Sequence, residues 1–128
     1  MVNTITTQTI QDGTYNLVVK VHLNSDGSEE TATGVVDAST FSPAFTNGQL
    51  LALDIVVAAP TLQARLLWDA TTDVPICAIG PTSLQRDWRK SGGLPNNAGA
   101  GVTGDIVLTT LGLVSGDQLT LTFYLKKV

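Results

Sequence analysis

Gln118-Leu119-Thr120-Leu121-Thr122-Phe123-Tyr124-Leu125-Lys126-Lys127-Val128 is the stretch on which the fold turns. Leu119, Leu121, Phe123 and Leu125 alternate without a break against Thr120, Thr122, Tyr124 and Lys126. Every second side chain therefore belongs to a core, and the stretch is a half-buried β-strand. The same period of two recurs along the chain between clusters of Gly, Pro, Asn and Asp, and no segment carries the spacing of three and four that an amphipathic helix needs.

Working outward, Tyr15 to Leu23 alternates Tyr15, Leu17, Val19, Val21 and Leu23 against Asn16, Val18, Lys20 and His22. After the polar turn 24–28 its expected partner is the segment Thr31 to Val36, as a hairpin. Asp37 to Asn47 reads as a connection that tucks Phe41 and Phe45 onto the core. Leu50 to Ala58 and Leu62 to Trp68 are the most apolar runs, with a turn at Pro60, and suit central strands covered on both faces. Val74 to Ile79 is a short strand that Pro75 assigns to an edge or a bulge. Ser83 to Lys90 alternates again, Ser91 to Gly104 is a long glycine-rich irregular piece, and Asp105 to Leu111 is expected to pair with the final strand. Thr4 to Ile10 is threonine-rich with only Ile5 and Ile10 large and apolar, which suits an extended arm or an edge strand. The expectation is an all-β, jelly-roll-like two-sheet sandwich of about eight strands. Residues 1–12 form its N-terminal arm or edge strand, and residues 13–128 a single domain.

Composition narrows the function classes. Residues of the hydrophobic class make up 43% and charged ones only 14%, and the mean hydropathy is +0.21. A small soluble domain normally covers itself with charge, so another chain is expected to cover part of this surface. The net charge of −4 opposes the basic footprint that phosphate contacts require, which argues against nucleic acid. The longest apolar stretch, Leu50 to Pro60, is too short to span a bilayer and is broken by Asp54, and the N-terminus lacks the basic and apolar regions of a secretory signal. Synthesis in a cytoplasm and no membrane partner are the corresponding expectations.

The residues that could carry chemistry are few. His22 is the only histidine and Cys77 the only cysteine, so neither a multi-histidine metal site nor an intrachain disulfide can be built. Cys77 sits in an apolar run and reads as a small buried hydrophobe. Most acids fall at turns, where Asp bonds its own backbone. Asp54 alone lies inside an apolar strand, as an outward-facing residue or one paired with Arg65 on the next strand. Asn24, Asp26, Ser28, Glu29 and Glu30 bring oxygens together but not in the spacing of an EF-hand, and an ordinary hairpin turn is favoured. The run from Gly92 to Gly101 lacks the Gly-Lys-Ser/Thr ending of a phosphate-binding loop. Trp68 and Trp88 fit core or interface anchors better than sugar platforms. No enzyme, no cofactor and no metal are expected.

The stretch Arg65-Leu66-Leu67-Trp68-Asp69-Ala70-Thr71-Thr72-Asp73 resembles part of the small structural proteins of tailed bacteriophages. So do Trp88, the run Gly92-Gly93-Leu94-Pro95-Asn96-Asn97-Ala98-Gly99, and Thr103-Gly104-Asp105-Ile106. The threonine-rich opening Val2-Asn3-Thr4-Ile5-Thr6-Thr7-Gln8-Thr9-Ile10 and the ending Leu125-Lys126-Lys127-Val128 extend the resemblance over nearly the whole chain. It implies a non-enzymatic virion component, foremost a capsid decoration or cement protein on the outer surface of a shell of major capsid protein. A tail or fibre-associated β-domain and a carbohydrate-binding module are the alternatives. A homo-oligomer is expected, with a trimer ahead of a dimer. The expected partner contacts are Val2, Asn3, Thr4, Ile5, Thr6 and Thr7 on the arm, and Trp88, Gly92, Gly93, Leu94, Pro95, Asn96 and Asn97 on the loop.

Overall fold

In the computed structural model, residues 4–27, 29, 30, 33–41, 48–91, 93–96, 99–101 and 103–127 are described. They form strands β1 (Thr4–Asp12), β2 (Asn16–Asn24), β3 (Thr33–Val36), β4 (Gly48–Ala58), β5 (Gln63–Trp68), β6 (Val74–Ile79), β7 (Leu84–Asp87), β8 (Leu94–Pro95), β9 (Ile106–Leu111) and β10 (Gln118–Lys127). The only helical pieces among the described residues are single 3₁₀ turns at Ala38–Thr40 and Arg89–Ser91.

One sheet runs β1-β2-β10-β4-β7, with the short β8 also on β4, and the second runs β3-β9-β5-β6. Every pairing is antiparallel. Four of the pairs nest inside one another in sequence: β2 with β10, β3 with β9, β4 with β7, and β5 with β6. A long antiparallel hairpin rolled up so that β10 also meets β4, and β9 also meets β5, produces this order. The result is a jelly-roll-like two-sheet sandwich with β1 added beside β2.

The alternation seen in the sequence becomes cross-strand rows of core side chains. Val21, Leu121 and Ile55 stand in register across β2, β10 and β4, as do Val19, Phe123 and Leu53, and then Leu17, Leu125 and Leu50. All nine are buried, and they share one apolar cluster with Val36, Ala64, Leu66, Trp68, Ile106 and Leu108 of the other sheet. Each such side chain contributes roughly 1.5–3 kcal/mol when removed from water, which is what holds the two layers face to face. Phe41 is in the same cluster, as expected, while Phe45 lies outside the described residues.

Bulges account for the places where the period of two breaks. Tyr124 pairs with Ala52 but Leu125 with Leu50, so Leu51 is an extra residue and Leu50 and Leu53 can both face inward. That slip, rather than burial on both faces, makes β4 read as a continuous apolar run. Leu51 still has a use, since its carbonyl accepts the Trp88 N–H at 2.8 Å. On β6 the jump from Cys77 to Pro75 makes Ile76 the extra residue.

The pairing partners expected from sequence need correction. β2 does not form a hairpin with β3, nor β9 with β10: in both cases the chain crosses from one sheet to the other. The two crossings are tied together, with the Ser25 N–H donating to the Asp117 carbonyl at 2.8 Å and the Gly116 N–H to the Ser25 carbonyl at 2.9 Å. Glu29 serves the same end of the sandwich. Its carboxylate accepts the Leu113 N–H at 3.1 Å, the Thr110 hydroxyl at 3.2 Å and the Gly112 N–H. The Pro60 turn is likewise a crossing, so Asp54 and Arg65 lie in different sheets and do not pair.

Candidate functional site

β1 and the β7–β8 edge end one sheet and β3 and β6 the other, and their sequences differ in how they treat the exposed backbone. An edge strand offers a row of unpaired N–H and C=O groups, and proteins ordinarily blunt it with charge, proline, a bulge or brevity. β3 has four residues, one of them Gly34, and a bulge at Val35. β6 carries Pro75 and a bulge at Ile76. β7 has four residues and carries Arg86 and Asp87, both exposed. β1 is blunted only at its far end, by a bulge at Ile10 and the charge of Asp12: the six residues before them, Thr-Ile-Thr-Thr-Gln-Thr, hold no Pro, Gly, charge or bulge.

Eight of the nine β1 residues are exposed, Ile5 alone being half-buried against the core. The register explains this. Ile5, Thr7 and Thr9 pair with Leu23, Val21 and Val19 and so share their inward phase, but at the end of the sheet Thr7 and Thr9 are left uncovered. Threonine suits such a place, being β-branched for the strand and polar enough for water. The strand slips at Ile10, which is 56% exposed, and Tyr15 on the following turn is 68% exposed. Of the arm contacts expected from sequence, Thr4, Ile5, Thr6 and Thr7 thus lie on an open edge, while Val2 and Asn3 are outside the described residues.

The loop contacts lie at the other end of that sheet. Leu94 and Pro95 form β8 against Leu50 and Gln49, which corrects the reading of this piece as wholly irregular. The Gly93 N–H donates to the Trp88 carbonyl at 2.9 Å, and the Asn96 N–H to the Gly48 carbonyl at 3.3 Å. Trp88 is half-buried with its side chain against the core, whereas Trp68 is 1% exposed and offers no ring face to a ligand. Gly92 and Asn97 are outside the described residues. Further along, the loop presses on its own molecule: the Thr71 N–H donates to the Ala100 carbonyl at 3.2 Å. A Cβ on Gly101 would stand 2.1 Å from the Thr71 hydroxyl oxygen. Edge β1 and the β7–β8 edge are four strand spacings apart, about 19 Å, so one partner strand cannot meet both.

The polar groups elsewhere hold structure. The His22 Nδ1 and Thr120 Oγ1 lie 2.9 Å apart on the outer face of the larger sheet. On that face the Tyr124 hydroxyl donates to Asp54 at 3.2 Å, which raises the phenol's pKa because the bond favours the protonated form. At the fully exposed β7 edge, Arg89 grips the Asp87 carboxylate through Nε at 3.0 Å and a second guanidinium nitrogen at 2.7 Å. That grip, with the Arg89 backbone N–H, holds the Asp87 carboxyl down to about 2. Asp105 accepts the Ala38 N–H at 2.8 Å, yet burial is the larger influence and pushes its pKa up. Cys77 is half-buried, and burial pushes its thiol up as well, away from reactivity. Among the described residues no three His, Cys, Asp or Glu side chains are placed to hold a metal ion, and no helix is long and apolar enough to cross a membrane.

No protein-family model matches the chain, and no curated protein matches it either.

Proposed function

We propose that the chain is a non-enzymatic virion structural protein, a decoration or cement protein that binds the outer surface of a shell of major capsid protein and stabilises it as a homo-oligomer, with a trimer ahead of a dimer. The observation that carries this reading is the unblunted stretch Thr4 to Thr9 on the edge of β1. An extended strand on a neighbour can add to it by main-chain hydrogen bonds, and the small threonine side chains leave that approach open. Two contact regions about 19 Å apart on one sheet suit a protein that links neighbours, and a lattice amplifies modest contacts through effective concentration. The apolar, weakly charged composition and the resemblance to phage structural proteins point the same way.

The test is binding to empty shells of the source virus, with cryo-electron microscopy of the decorated particles. Density of this size at two-fold or three-fold positions of the outer shell is the expected result. A double variant, Thr6→Lys with Thr7→Lys, blunts the edge at two exposed positions and should weaken binding at least tenfold while leaving the unfolding free energy within about 0.5 kcal/mol. An undecorated shell, or a double variant that binds like the wild type, overturns the reading.

A further inference from the structure

The two outer faces of the sandwich differ in chemistry. That of the larger sheet is mostly polar. In register across β2, β10 and β4 stand His22, Thr120 and Val56, and then Lys20, Thr122 and Asp54. On the smaller sheet the core takes Ala64, Leu66 and Trp68 from β5, and Ile106 and Leu108 from β9. The period of two therefore sends Gln63, Arg65 and Leu67 outward on β5, and Val107, Thr109 and Leu111 outward on β9; Leu67 and Val107 are buried by the chain itself, and the rest of the face is open.

Arg65 stands at the centre of this second face, with Ala78 of β6 directly on one side and Thr109 of β9 on the other. Both neighbours are small, and the sheet there is hollowed into a groove of about 520 Å³, with Gln63, Gly80 and Leu111 also lining it. Leu111 is 61% exposed on its rim. Arg65 is exposed, and among the described residues no carboxylate lies within ion-pair distance of it. The chain has eleven acids against seven Lys and Arg, so an arginine left unpaired in an apolar hollow is a cation set apart from an internal surplus of anions. A guanidinium is more weakly hydrated than an ammonium and presents a planar fork that matches a carboxylate.

We infer that the outer face of β9-β5-β6 is a docking surface for a protein segment that presents an Asp or Glu carboxylate between aliphatic side chains. The carboxylate meets the Arg65 guanidinium, and the aliphatic groups fill the hollow over Ala78 and Thr109 against Leu111. The identity of the partner, the major capsid protein, rests on the function proposed above; the surface itself is independent of the β1 edge.

The experiment titrates wild type and the variants Arg65→Lys, Arg65→Gln and Arg65→Glu onto empty shells of the source virus, at two salt concentrations. All three variants should unfold like the wild type, since the side chain is exposed. Arg65→Gln should bind about tenfold more weakly and Arg65→Glu weaker still, with Arg65→Lys between wild type and Arg65→Gln. The wild type should lose more affinity on adding salt than Arg65→Gln does. If the wild type binds and Arg65→Glu binds equally well, the docking surface is refuted and the capsid reading stands. If the wild type does not bind shells, the capsid reading falls, and the partner named here falls with it.

Discussion

Two glycines in the β9–β10 connection allow a backbone argument to be tested against its own control. Gly112 and Gly116 both have positive φ, 85° and 93°. An alanine at either position bears the left-handed penalty, about 1 kcal/mol. Their surroundings differ: a Cβ on Gly116 would meet nothing within 4 Å, whereas one on Gly112 would lie 2.2 Å from the Thr61 carbonyl oxygen. That oxygen belongs to backbone and must move by about an ångström, and two bonds go with it. The Thr61 hydroxyl donates to the Gly112 carbonyl at 2.7 Å, and the Gly112 N–H donates to Glu29. At about 1 kcal/mol for each lost bond, Gly112→Ala should cost about 3 kcal/mol and Gly116→Ala about 1. The assay is urea unfolding with linear extrapolation, fitted for both midpoint and slope. If Gly112→Ala costs no more than Gly116→Ala, the packing of the β9–β10 crossing against the β4–β5 crossing at Thr61 is not what holds that end of the sandwich.

Phe123→Ala removes a fully buried ring from the middle row of the larger sheet and should cost about 3–5 kcal/mol in the same assay; a loss under 1 kcal/mol would mean that the row is not the core. Asp105 has its folded pKa raised by burial, so the folded state holds its proton more tightly than the unfolded chain. Stability from this group therefore rises as pH falls from neutral toward the ordinary carboxylate value of about 4, and is level below it. Asp105→Asn keeps an acceptor for the Ala38 N–H and should remove that slope; unfolding midpoints with the same pH dependence in both proteins would contradict the assignment.

The class of fold was legible because alternation is a local signal. Leu119 to Leu125 and Leu17 to Leu23 read as half-buried strands, and both face one core. Strand partners were not legible, because an alternating strand carries no mark of whether the next turn stays in its sheet or crosses to the other. The turn residues Asn24, Ser25, Asp26 and Gly27 suit either path; the bond from the Ser25 N–H to the Asp117 carbonyl decides between them, and it joins residues far apart in the chain. The bulge at Leu51 hid the phase of β4 for a similar reason, since an extra residue shows only against a partner strand. Of the candidate surfaces, the threonine-rich composition of Thr4 to Thr9 was visible as an edge strand. The role of Arg65 was not: its neighbours Ala78 and Thr109 come from strands whose register only the folded sheet defines.

The nesting of β2 with β10 sets the order of events on the ribosome. β10 is the strand between β2 and β4, yet residues 118–127 are translated after both of them. While they are still unmade, β2 and β4 have no strand to join them, and the apolar side chains of the middle rows lack their shared neighbours. The larger sheet therefore closes only after every other strand has been made, and its distant pairings place it among slow, high-contact-order folds, in the range of about milliseconds to seconds. Nascent chains are exposed to mispairing for that interval, and the open edge of β1, made before the other strands, is where a second nascent chain would meet them.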